Sequence, residues 1–184
     1  MVYEIAWTRA LSLVMGSSVY AYSAMLLSFL IGISIGSVLF SRLVTTRRVS
    51  PEWFAGLQMA IGLSAAIAYP LLGKLPGFFL YAFQYVQPFD TLLIFQVLLS
   101  LAVMIIPTIL IGATFPCAVQ IVANGISRVA NDVGEVYAHN TLGAIGGSFI
   151  AGFFLIPIIG VESTIKTAIF LNFVVGGFLF FCCR

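Results

Sequence analysis

Few side chains in this sequence have the chemistry to bind or react. Tyr3, Glu4, Trp7 and Arg9 stand together near the start, and His139 and Asn140 adjoin each other late in the chain. Glu4 and Arg9 are ionisable groups in apolar surroundings, where a charge is costly and faces a partner or a cavity. Five positions apart, they lie about 140° from each other around a helix. They therefore share no face and are expected to pair with other helices. The first reading of the cluster is a packing device, with a substrate site as its alternative. His139, the sole histidine, reads as a hydrogen-bonded interface residue near a helix N-terminus, with a proton-relay or ligand role as the alternative. Arg128 and Asp132, four apart, read as a solvated pair on a helix surface.

Other chemistry is excluded. No glycine-rich loop follows a strand, no Cys/His spacing suits a metal, and neither a Ser-His-Asp set nor two carboxylates on one helix face can be found. Catalysis by this chain alone is not expected, and no cofactor is implied. Cys117, Cys182 and Cys183 lie in apolar stretches and read as small buried hydrophobes. Acylation of Cys182 and Cys183 is the alternative. A net charge of +2 and the lack of any run of four basic residues argue against nucleic acid as a partner. No basic stretch followed by an apolar run opens the chain, so no cleavable signal peptide is expected.

The elements that must position these groups follow from composition. Of 184 residues, 61% are hydrophobic and 8% charged, and the mean hydropathy is +1.15. A water-soluble domain carries about a quarter charged residues, so the bilayer is the expected partner. At roughly 20 residues per span, the predicted architecture is an all-α polytopic transmembrane helix bundle in a single domain. Five complete spans are expected at 19–40, 53–73, 91–122, 136–158 and 164–183, after a truncated first helix at 1–15. Ser50, Pro51 and Glu52 predict a helix start, Asp90 a cap, and Asp132 with Glu135 a relative of the capping box. Ser163 is expected to cap the last helix. The aromatic-rich stretch 74–89 reads as an interfacial segment. The excess length of 91–122 is expected to be absorbed by tilt, by a kink at Pro107 or by a break near Gly112 to Pro116.

Small residues recur at four-residue steps: Gly32 with Gly36, Gly143 with Gly147, and Ser148 with Gly152. That spacing lets helices approach closely in lipid, and a substrate path between such helices is the alternative. Arg42, Arg47, Arg48, Arg128 and Arg184 fall to one side of the predicted bundle, and Arg9, Lys74 and Lys166 to the other. The first side is therefore expected to face the cytoplasm, in the inner membrane.

Three stretches carry a resemblance. Residues 2–37 with V-Y-E-x-x-W-T-R, residues 111–119 with G-A-T-F-P, and residues 134–160 with Y-A-x-N-T-x-G-A resemble the membrane domain of the bacterial fused spermidine synthase-like proteins. The resemblance spans nearly the whole chain. It implies half of a major-facilitator-like fold, more of the first helix before Val2, and a soluble aminopropyltransferase domain after Arg184. It also implies a small residue where His139 stands. No catalytic residue of that domain is present, and the Arg42–Arg48 stretch has no Asp for a facilitator gating motif. The implied role is to anchor the enzyme and feed it a polyamine or another small substrate. Half of a secondary transporter, completed by a second membrane half, and a structural membrane subunit are the competing readings.

Overall fold

The computed structural model describes residues 1–16, 18–44, 49–85, 89–122 and 129–182. Arg47, Arg48, Arg128, Cys183 and Arg184 lie outside them, and with them the Arg128–Asp132 pair. Among the described residues all regular structure is helical: α1 (Val2–Met15), α2 (Val19–Val44), α3 (Pro51–Tyr85), α4 (Phe89–Val122) and α5 (Val129–Ile150), then a π-helical turn (Ala151–Leu155) leading into α6 (Ile156–Cys182). Four stretches, 19–44, 51–81, 94–122 and 130–182, are long and apolar enough to cross a membrane. The last is interrupted at Gly160, whose φ of 81° and ψ of 167° leave the helical region. That conformation is essentially restricted to glycine.

Helix boundaries depart from the sequence expectations in one direction: the helices are longer. α3 does not end at Gly73 but carries the aromatic stretch through to Tyr85, with Pro70 and Pro76 inside it. α4 starts at Phe89, so Asp90 lies within its first turn, and the helix runs unbroken past Gly112 to Pro116. α5 begins at Val129, which puts Asp132 and Glu135 inside the helix and not at its cap. Ser163 likewise falls inside the helix that resumes after Gly160, where its carbonyl accepts from Thr167 Oγ1 at 2.8 Å. One cause serves all four. Without water, every uncoiled residue strands backbone donors and acceptors, so a helix that loses one bond to a proline is better than a loop.

At 1.5 Å per residue, the 35-residue α3 and the 34-residue α4 each measure about 50 Å, against a hydrocarbon core of about 30 Å. Their excess forms a hairpin in which Phe78 and Phe79 pack on Phe95, with ring centroids 5.9 and 6.1 Å apart. The opposite end of the bundle joins Phe40 and Val44 of α2 to Phe54 and Leu57 of α3 and to Ala113 and Cys117 of α4. The connections whose sequence carries Arg47, Arg48 and Arg128 lie at this basic end.

Two helix seams depend on missing side chains. An added Cβ at Gly32 would meet Thr108 Oγ1 and come within 2.6 Å of Thr108 Cβ; at Gly36 it would come within 2.7 Å of the Ile109 carbonyl carbon. Gly112, on the facing helix, would approach Ile33 Cα to 2.7 Å. Gly176 plays the same part between α6 and α3, where a Cβ would be 3.1 Å from the Ala55 carbonyl oxygen. The expectation fails for Gly143, Gly147 and Gly152. A Cβ there meets nothing closer than the Val2 side chain, 3.6 Å from Gly147, because α5 lies at the edge of the bundle. Leu142, Ile145, Phe149, Phe153 and Ile158 are all exposed on that edge, an apolar surface suited to acyl chains.

The core is organised around α1. This 14-residue helix buries Tyr3, Ala6, Trp7 and Leu11, a stripe at helical spacing, against α2, α3, α4 and α6. Buried hydroxyls on the surrounding helices bond to their own backbone: Ser28 to Ala24, Ser100 to Gln96 and Thr108 to Met104, at 2.7 to 2.8 Å. Each thereby satisfies itself without a partner helix.

Candidate functional site

The polar residues that remain gather around one cleft. Its entrance lobe, about 430 Å³, is lined by Phe54 and Gln58 of α3, Thr114, Phe115 and Val122 of α4, and Glu135, His139 and Asn140 of α5. A deep lobe of about 260 Å³ shares Gln58 and Thr114 and adds Tyr3 of α1 and Asn172 of α6. A side lobe of about 550 Å³ shares Thr114, Phe115 and Asn140 and extends between α2 and α5 along Ile33, Gly143 and Gly147. Thr114 borders all three lobes.

Helix positions give the depth. Phe54, Val122 and Glu135 are close to the ends of their helices, so the entrance lobe opens at the basic end. Gln58 is seven residues past the start of α3 and Asn172 ten before the end of α6, about 10 to 15 Å of helix rise. The deep lobe therefore ends near mid-height. Its floor is the hydrogen bond from Asn172 Nδ2 to the Tyr3 hydroxyl, 2.7 Å; Asn172 Nδ2 also donates to the Ala168 carbonyl at 3.2 Å. Tyr3 is fixed from behind by Trp7, with ring centroids 5.0 Å apart and 25° between planes. Beyond that pair, on the far half of the bundle, the Tyr69 hydroxyl donates to Glu162 Oε1, which also receives Lys166 Nζ at 2.6 Å. That tie lies at the surface and does not border the cleft.

The four-residue cluster at the start of the chain is thus divided. Tyr3 and Trp7 are buried and support the cleft, whereas Glu4 is half-buried and Arg9 exposed. The expected pairing of Glu4 and Arg9 with other helices is not found: neither makes an ion pair with a described residue. His139 and Asn140 do line the cleft, but His139 is exposed and bonds to its own helix, not across an interface. Sequence reasoning missed Gln58, Thr114 and Asn172 as site residues. Gln58 carried the only available signal, as the single amide of its span. Among the described residues no group of three His, Cys, Asp or Glu side chains is placed to hold a metal ion.

Chemically, the cleft offers amides, hydroxyls, one carboxylate and one imidazole between aromatic walls. That is equipment for holding a small polar solute, with no nucleophile and base in contact. In comparisons with family models, curated proteins and solved structures, nothing matches this chain.

Proposed function

We propose that the chain is an integral membrane domain of the inner membrane, five complete spans and a short first helix in a half-facilitator arrangement, that holds a small solute in this cleft. In the reading that follows the spermidine synthase-like resemblance, it anchors an aminopropyltransferase domain and presents a polyamine or related substrate at the basic, cytoplasmic end. One observation carries the proposal. Tyr3, Thr114 and Asn140 come from the three separate stretches behind that resemblance, and all border one connected cleft. The helix α6 also ends on the face where the cleft opens, where an attached soluble domain would meet it.

The test is equilibrium binding of labelled spermidine to the protein in lipid nanodiscs. Losing one hydrogen bond of about 1 to 1.5 kcal/mol weakens binding about tenfold, so Gln58→Ala and Asn140→Ala should each show that loss while the thermal unfolding midpoint holds. Leu142→Ala on the lipid face should bind as the parent does. No binding by the parent protein, or full binding by both cleft variants, would sink the proposal and leave a structural membrane subunit. The half-transporter reading is favoured by the closed floor at mid-height, which is where an inward-facing pathway would stop. Spermidine uptake by proteoliposomes decides for it, and binding without uptake decides against it.

A further inference from the structure

His139 borders the entrance lobe, yet the proposed solute site makes no particular use of its ring. Its Nδ1 lies 2.9 Å from the backbone oxygen of Glu135, one turn earlier. A carbonyl oxygen only accepts, so Nδ1 must carry a hydrogen and donate it. In the neutral ring the other nitrogen is then bare. Nε2, on the ring edge turned away from its own helix, is an acceptor with a free lone pair. Of the residues that α3 and α4 bring to this lobe, including Phe54, Gln58, Thr114 and Phe115, none titrates; Glu135, on α5, is the other titratable side chain lining it.

We propose that His139 Nε2 is the proton acceptor of the cleft, and that a solute held there through a hydrogen-bond donor competes with the proton for it. Taking up a proton uses the Nε2 lone pair and yields an imidazolium with a donor on each nitrogen. The Nδ1–H bond to Glu135 survives that step, so the ring need not turn. The solute's donor then faces another donor and is released. The competition half of this inference rests on the cleft being a solute site; the proton half rests on the ring alone.

Because the chain has one histidine, protein labelled with ¹⁵N-histidine in nanodiscs gives a single pair of imidazole signals. At alkaline pH the expected state has Nδ1 protonated and Nε2 bare, with Nε2 gaining its proton on acidification. A ring that holds its proton on Nε2 at alkaline pH, or mixes the two tautomers freely, overturns the proton half. Spermidine is the probe for the other half. Its affinity should fall about tenfold for each pH unit below the His139 titration point, one proton being exchanged per solute. In His139→Gln that slope should vanish, and in Glu135→Gln, which removes the neighbouring carboxylate, it should persist. A slope that survives in His139→Gln overturns the competition, as does spermidine binding that leaves the imidazole signals unmoved. Failure of spermidine to bind at all removes the cleft reading and the competition with it, while the tautomer still decides the proton half.

Discussion

Gly36→Ala is the sharpest test of how the bundle is held together. Carbon atoms pack best at about 3.5 to 4.0 Å, and the new methyl would stand 2.7 Å from the Ile109 carbonyl carbon and 2.9 Å from its Cα. The shortfall is about 1 Å, and the obstacle is backbone, which has no rotamer to change. α2 must therefore move off α4. A gap of 0.5 to 1 Å forfeits roughly a quarter to a half of each contact along the seam, and overpacking typically costs about 1 to 3 kcal/mol. With backbone on both sides, the upper value of about 3 kcal/mol is expected, on the order of a hundredfold in the folding equilibrium. Reversible unfolding in mixed detergent micelles reads this directly. Gly32→Ala collides instead with the Thr108 side chain, so adding Thr108→Ala should recover part of its loss. Gly143→Ala meets nothing within 4 Å and should be neutral, or stabilising by up to about 1 kcal/mol through helix propensity. Equal stability of Gly36→Ala and the parent, or equal losses at Gly36 and Gly143, would refute the account.

Further outcomes follow from single contacts. Tyr3→Phe removes the acceptor of the 2.7 Å bond from Asn172 and should cost about 0.6 kcal/mol, the average for such pairs in membranes, measured by the same unfolding assay. Trp7 is fully buried, and its indole N–H finds no acceptor. Trp7→Phe removes that orphan donor along with some volume and should lose far less than the roughly 3 to 5 kcal/mol of Trp7→Ala. Gly160→Ala forces a Cβ into a dihedral region essentially reserved for glycine and should cost about 1 to 3 kcal/mol, seen as a lower unfolding midpoint with helix content by circular dichroism unchanged.

Helical membrane character was legible because it depends on long apolar runs, which sequence displays directly. Helix ends were less so. Caps and prolines are stop signals tuned to water, and at Gly73, Asp132 and Ser163 the chain passes over them, since leaving a helix costs more where nothing else accepts a backbone bond. The glycine steps show a different limit. Gly32–Gly36 and Gly143–Gly147 are the same pattern, yet one sits opposite a helix and the other at the edge, and no local feature separates them. The cleft was least visible of all. Tyr3 and Asn172 lie 169 positions apart, and Gln58, Thr114 and Asn172 are isolated polar residues in apolar segments. Only the tertiary arrangement brings them to one wall.

The π-helical turn at Ala151–Leu155 has a consequence for tolerance to length change. Such a turn amounts to one residue more than an α-helix needs, and at 3.6 residues per turn that surplus rotates everything after it by about 100°. Deleting one residue within it would let the ladder close as an ordinary α-helix and would re-aim Ile156 to Ile159 around the axis. Helix continuity would be kept and orientation lost. The turn is thus the one place among the described helices where a single-codon deletion changes which way the chain faces without breaking a span, and the stripe of small residues before it cannot be continued past it.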